Sequence, residues 1–207
     1  MNAAPTIPSD LAFTPAVKAI QARKGSRHAY ERMEQGGGWQ TEITHDLKDF
    51  IDAQISVYLA TANASGQPYI QHRGGPPGFL HVLDSRTIAF ADFSGNRQFV
   101  TSGNLAENPK AHLFLMDYAT RQRVKIWGEA KVVEDDPALV ARLMPPGYKA
   151  RGEQAIVFSV AAWDANCPQH IPQLVAADEV IAVVAEKNRR IEELEDEVQR
   201  LRMRLAG

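Results

Sequence analysis

The stretch richest in possible chemistry is Asp92-Phe-Ser-Gly-Asn-Arg-Gln-Phe-Val100. A strand signal ends near Asp92, a glycine-containing turn follows, and a helix is expected from about Asn96 to Glu107. The first turn of a helix leaves backbone N–H groups unpaired and carries partial positive charge. Arg97 falls in that turn, and the combination suits a phosphate group. The plainer alternative makes Asn96 a helix cap and Arg97 a solvated cation. Two further basic features favour the anion site. Arg73 ends a strand just before Gly74-Gly-Pro-Pro-Gly78, a loop with little side-chain bulk where backbone can approach a ligand closely. Arg121, Arg123 and Lys125 alternate with other residues, so a strand there would put all three cations on one face. That face is either a cationic wall beside an anionic ligand or a charge-protected edge.

Other chemistries find less support. The chain lacks a Gly-x-x-x-x-Gly-Lys phosphate loop, a Gly-x-Gly-x-x-Gly fingerprint and a Gly-x-Ser-x-Gly elbow. The six histidines are scattered, and no two stand two or four residues apart. Cys167 and His170 have half the spacing of a zinc site, without a second half, so no metal centre is expected. Cys167 reads as a small buried or accessible thiol, with a redox-active thiol as the alternative. Trp127 and Trp163 are candidates to stack on a planar ligand, although strand aromatics are commonly core.

These side chains need elements to hold them. Residues 1–50 form an N-terminal helical extension, interrupted by Pro5, Pro8 and Pro15 and by the loop Gly36-Gly37-Gly38. A short helix follows from Thr44, which caps it, with Leu47, Phe50 and Ile51 as its apolar stripe. Residues 51–175 are rich in strand signals. Seven strands are expected, at 55–62, 67–73, 79–83, 87–92, 111–118, 123–133 and 155–163. The first two are joined by the turn Asn63-Ala-Ser-Gly66. The fifth is apolar on both faces and reads as central. A helix at 137–143 starts on a proline and stops before Pro145-Pro146. Short strands at this spacing indicate an antiparallel barrel or sandwich.

Residues 178–206 read as a C-terminal coiled-coil helix. Val184, Ile191, Val198 and Leu205 occupy position a; Val180, Lys187, Leu194 and Leu201 occupy d. β-Branched residues at a with leucine at d favour a parallel two-stranded coil. Two pairings from position g to the following e of a partner helix, Arg190 with Glu195 and Glu197 with Arg202, are attractive. The alternative is an amphipathic helix packed on its own barrel.

Composition sets outer limits. The chain has 207 residues, 44% hydrophobic and 23% charged, with 23 Lys and Arg against 25 Asp and Glu. That length builds a sizeable core without disulfides or a structural metal. A net charge of -2 argues against a general nucleic-acid partner, which would need excess cations to displace counterions. No apolar run approaches the ~18–20 residues of a membrane span, and the opening residues lack the pattern of a secretory signal. The single cysteine fits a reducing, cytoplasmic setting.

The order of features from Ile55 to Val133 resembles the pyridoxamine 5'-phosphate oxidase-like FMN-binding split-barrel family. The residues that carry the likeness are Tyr58-Leu-Ala-Thr-Ala with Gly66-Gln-Pro, Arg73 on the next strand and Gly95-Asn-Arg97. It continues through Leu105-Ala-Glu-Asn-Pro109, His112-Leu-Phe-Leu-Met and Arg121-Gln-Arg-Val-Lys-Ile-Trp-Gly-Glu-Ala. The later run Ala162-Trp-Asp-Ala-Asn-Cys-Pro-Gln-His-Ile171 is similar to a segment of one bacterial subgroup.

The resemblance implies a mostly β (α+β) chain whose antiparallel split barrel forms a homodimer, with FMN in clefts between the two barrels and a small-molecule substrate. It implies that Arg73 and Arg97 contact the FMN phosphate, supported by Asn96 and Gln98. It also implies that Arg123 stands near the flavin ring and Trp163 beside the cofactor. The expected activity is FMN-dependent two-electron oxidoreduction. Alternatives are a flavin-binding sensor or scaffold without turnover, and a barrel that holds a deazaflavin or haem.

The chain departs from true pyridoxamine phosphate oxidases in three places. Pro76-Pro77-Gly78 replaces a lysine after the first arginine, Asn96-Arg97-Gln98 replaces Ser-Arg-Lys, and Asn166-Cys-Pro-Gln-His170 replaces an Arg-x-His-Asp-Arg stretch. The grip on a second phosphate is lost with those cations, which points away from vitamin B6 oxidation.

Overall fold

The computed structural model describes residues 7–165 and 168–206. Cys167, and with it the reading of its thiol, lies outside the described residues. Two compact units are present. One runs up to Asp117 and resumes from Gln122 to Pro168; the other comprises Tyr118–Arg121 and the chain from Gln169 onward.

The larger unit is built on seven strands: β1 (Ser56–Ala62), β2 (Pro68–Gly74), β3 (His81–Asp84), β4 (Thr87–Phe93), β5 (Lys110–Asp117), β6 (Gln122–Val133) and β7 (Gly152–Ala165). They form one sheet in the order β2-β1-β5-β6-β7-β4-β3, and every pairing is antiparallel. The sheet curls into a split barrel. Its interior holds Val57 and Leu59 from β1, Leu113 and Leu115 from β5, Ile126 from β6, Ile88 and Phe90 from β4, and Ile156 and Phe158 from β7. Asn63 shapes the first hairpin. Its carbonyl accepts from Gly66 N–H at 2.9 Å, its side-chain oxygen accepts from Gln67 N–H at 2.9 Å, and Gly66 supplies the positive φ of 86°.

The strand buried on both faces is β4, not β5. In β4 the five residues Ile88–Asp92 are all buried, whereas in β5 buried residues alternate with partly exposed ones. The difference lies in what covers the outer face. Helix α5 (Pro137–Leu143) packs Val140 and Leu143 against Ala89, Ala91 and Ala155. Alanines there, and Gly152, whose Cβ would lie 2.7 Å from Val140 Cγ1, let the helix approach closely. α5 is capped by Asp136, which accepts from Leu139 N–H at 2.8 Å.

The N-terminal segment carries α1 (Pro15–Lys24), α2 (Arg27–Gln35) and α3 (His45–Asp52). Thr44 caps α3 by accepting from Leu47 N–H at 3.2 Å, and Leu47 and Ile51 enter the core as the sequence pattern requires. Trp39 stacks on Trp127 of β6, with ring centroids 4.3 Å apart and planes 15° apart. Lys125 lies over both rings, 5.7 Å and 5.2 Å from their centroids, and pairs with Asp164 at 2.9 Å. Arg121 precedes β6 in a turn with φ 55°. The expected wall of three cations therefore does not form: one member is outside the strand and another is neutralised by Asp164.

The smaller unit holds α6 (Ala177–Leu205), 29 residues long, and Leu174 N–H donates to Tyr118 O at 3.3 Å. Among the described residues no helix is long and apolar enough to cross a membrane.

Two outcomes test this packing. Gly128 sits at a bulge opposite β7, and a Cβ there would lie 2.0 Å from Ser159 O. Gly128→Ala should cost about 3 kcal/mol or more. Gly103, whose Cβ meets nothing within 4 Å, should gain about 1 kcal/mol as alanine in a helix interior. Urea denaturation of both variants checks the contrast.

His112, edge-on to Trp127 with centroids 4.9 Å apart, is pushed down to about 4 by burial and then by the Lys125 charge. Its neutral form is favoured in the folded state. Its contribution is therefore complete above the ordinary histidine value of 6.5 and is lost as pH falls from there through about 4. Replacing it by glutamine should flatten the fall in melting temperature over that window.

Candidate functional site

Arg73 on β2 and Asp92 on β4 meet although four strands separate theirs in the sheet order. Arg73 Nη1 lies 2.9 Å from Asp92 Oδ1, close enough for an ion pair but off the angle of a hydrogen bond. Both side chains are largely buried, 18% and 11% exposed. Gln154 on β7 steadies the acid, its Nε2 donating to Asp92 Oδ2 at 2.8 Å and to Ser102 Oγ at 3.1 Å. Arg73 Nε is buried and has no hydrogen-bond partner among the described residues. An orphaned charged donor of this kind is costly unless a ligand meets it.

A cleft of about 40 Å³ opens beside this pair. One water needs about 10–15 Å³ on the same measure, so the space holds a small group of a few atoms. Its wall includes Arg73, Asp92, Asn96, Arg97, Gln98 and Ser102. Four of the six residues proposed from the sequence are thus brought together. The remaining two, Arg123 on β6 and Trp163 on β7, are absent from the lining. Trp163 instead ties the N-terminal segment down: its indole N–H donates to Glu42 O at 2.9 Å and its backbone N–H to Gln40 O at 2.8 Å.

The loop before the cleft differs from expectation. Helix α4 runs over Val100–Glu107, so it begins four residues after Asn96 and Arg97 lies outside its first turn. Arg97 and Phe99 adopt φ of 57° and 54°, which no right-handed helix contains. The Asn96 side chain accepts from Gln98 N–H at 3.2 Å, a local turn that competes with helix. Phe99 at the cap position offers no side-chain acceptor to the head of α4. Thr101 and Ser102 in that first turn line the cleft. Thr101 Oγ1 donates to Gln71 Oε1 of β2 at 3.1 Å, and Asn104 Nδ2 donates to Thr61 of β1 at 3.0 Å, which fixes α4 across the opening.

Formal charges in the wall balance, Arg73 and Arg97 against Asp92 and Glu153. The acids are engaged, Asp92 as described and Glu153 by accepting from Ser94 Oγ at 3.1 Å. Arg97 is exposed, lies 5.6 Å from the Phe99 ring centroid, and forms no ion pair among the described residues. The loop 74–78 does not serve the cleft. A Cβ on Gly75 would lie 2.7 Å from that of Phe79, so its glycine answers to core packing.

Sequence reasoning missed Asp92, Gln154, Gln71 and Ser102 as site residues. Asp92 carried a signal: an acid inside the apolar run Ile88–Phe93 needs a buried partner.

A family model described as Pyridoxamine 5'-phosphate oxidase matches residues 43–183, more than half of the chain. The chain belongs to the pyridoxamine 5'-phosphate oxidase family. No curated protein matches the sequence. Among solved structures, HupZ from Group A Streptococcus is 18% identical, with a TM-score of 0.50 over 64% of this chain and 99% of that one. An FMN-binding protein from Syntrophomonas wolfei subsp. wolfei is 13% identical, with a TM-score of 0.47 over 71% and 97%. The heme storage protein HutZ from Vibrio cholerae is 14% identical, with a TM-score of 0.40 over 60% and 93%. These likenesses concern the fold.

The ion pair makes a direct prediction about this family member. Asp92→Ala strands the Arg73 guanidinium in a largely buried place and should cost about 3–5 kcal/mol. The double change Arg73→Met with Asp92→Leu should recover most of that. Equilibrium denaturation of the two variants checks the coupling.

Proposed function

We propose that the protein is an FMN-dependent oxidoreductase acting on a small molecule, and that the cleft beside Arg73 holds the phosphate of FMN. The observation that supports this most is that Arg73, whose buried Nε lacks a hydrogen-bond partner among the described residues, lines the same cleft as Arg97, which has no ion-pair partner among them. Two guanidiniums can bind a phosphate dianion through directed, charge-assisted hydrogen bonds. The uncapped head of α4 adds backbone donors on the same side.

The roles divide between the two arginines. Arg73 is pre-positioned: Asp92, itself steadied by Gln154, pairs with it, so little freedom is lost when an anion arrives. Arg97 sits on an exposed loop, neutralises charge and selects for a phosphorylated ligand. Asn96 shapes that loop through its bond to Gln98 N–H. The cleft takes only the phosphate, so a ring system would lie outside it, and Arg123 and Trp163 would serve that end of the ligand. A homodimer, with each cleft completed by the second copy, is part of this proposal.

FMN, when bound, supplies two-electron redox chemistry, and the protein's part is placement and electrostatics. Two guanidiniums lining one cleft suit a phosphate, which favours FMN over an uncharged isoalloxazine.

The experiment is spectroscopic. The purified protein should carry, or take up, a yellow flavin that NADH or NADPH bleaches without oxygen and an acceptor restores. A flavin that resists both nucleotides would indicate a sensor, and a Soret band would indicate haem. Arg97→Ala should weaken FMN binding on the order of tenfold to a hundredfold, the scale of one charge-assisted contact of about 1.5–3 kcal/mol. It should leave the melting temperature of the flavin-free protein unchanged, because Arg97 is exposed. Fluorescence titration of apoprotein with FMN measures the first and differential scanning fluorimetry the second.

A further inference from the structure

The feature that the cofactor cleft does not use is the apolar stripe of α6. Ile191, Leu194, Val198 and Leu201 are 52%, 43%, 45% and 48% exposed, and no residue of the helix is buried. In a lone helix of 29 residues, about 43 Å long, a stripe repeating in steps of three and four is left in water. Such a stripe marks a surface that another helix covers.

We infer that the occupant is α6 of a second copy of this chain, paired in parallel and in register from Ile191 to Leu205. The charge pattern selects that partner. With the stripe at positions a and d, Arg190 and Glu197 flank it at g, and Glu195 and Arg202 flank it at e. A parallel copy brings Arg190 to the partner's Glu195 and Glu197 to the partner's Arg202, each twice by symmetry. All four pairs are attractive, so the surface is complementary to itself. β-Branched Ile191 and Val198 at a, with Leu194 and Leu201 at d, fit a two-stranded coil. Lys187 occupies the preceding d position, where two copies would oppose like charges, and so marks where the pairing begins.

Within one helix Arg190 bonds Glu193, Nη1 to Oε2 at 2.9 Å. Arg190 and Glu195 are five residues apart, about 140° around the axis, and are not neighbours in the same helix. Coupling between residues 190 and 195 therefore reports pairing between helices. The inference does not rest on the cofactor reading.

Disulfide trapping in the full chain tests it, with Cys167→Ala removing the natural thiol. Leu201→Cys at d should oxidise to a covalent dimer at least tenfold faster than Met203→Cys, which sits on the opposite face. Adding Arg190→Glu to Leu201→Cys should weaken trapping on the order of tenfold, since attractive pairs become repulsive. Adding Glu195→Arg as well should restore it. Leu201→Cys that crosslinks no faster than Met203→Cys overturns the pairing, whether α6 is solitary, antiparallel or bound to another protein. Failure of the charge swap to restore trapping overturns the parallel register.

Discussion

The ion pair between Arg73 and Asp92 is the constraint on which the cleft depends. Strands β2 and β4 are not neighbours in the sheet, and this contact joins them across its curl. Burying two charges is expensive, and the pair alone does not repay it. Gln154 satisfies the second oxygen of Asp92, while Arg73 lines the cleft with its Nε unsatisfied among the described residues. Closing the barrel therefore leaves one unmet donor at the place where Arg97 and the head of α4 also arrive. Fold and recognition share a residue, which is why the more exposed Arg97 is the cleaner probe of binding.

Around that clasp the molecule uses small residues wherever layers must approach. Alanines on the outer faces of β4 and β7 admit α5, and Gly128 admits the backbone of β7. The outer face of β6 is covered differently, by Trp39 stacked on Trp127 under the Lys125 ammonium. Lys125 is held there by Asp164, which turns a potential ligand-binding cation into part of the packing.

Much of this was legible in the residues because local chemistry and tertiary context agree. Asn63 and Gly66 form the turn their types predict, Thr44 caps α3, and α5 covers the stated residues. The strands fall within three residues of their expected ends. The start of α4 was not legible, since Asn96, Arg97 and Phe99 adopt turn and left-handed conformations that periodicity does not encode. The double burial of β4 depends on α5 arriving from elsewhere in the chain. Arg73, Asn96, Arg97 and Gln98 share one cleft as the sequence suggested. Asp92, the residue that holds Arg73 in place, escaped notice because its partner is nineteen positions away, and the acid set in an apolar run tells that a partner is needed but not which one.

The central claim is recognition of a phosphate by Arg73 and Arg97 at one cleft. Comparing riboflavin with FMN on the same apoprotein isolates it, because the two ligands share a ring and differ in that group. Isothermal titration should show FMN binding at least a hundredfold more tightly, about 2.7 kcal/mol, with the gap shrinking as salt rises. Equal affinities for the two flavins would contradict the account.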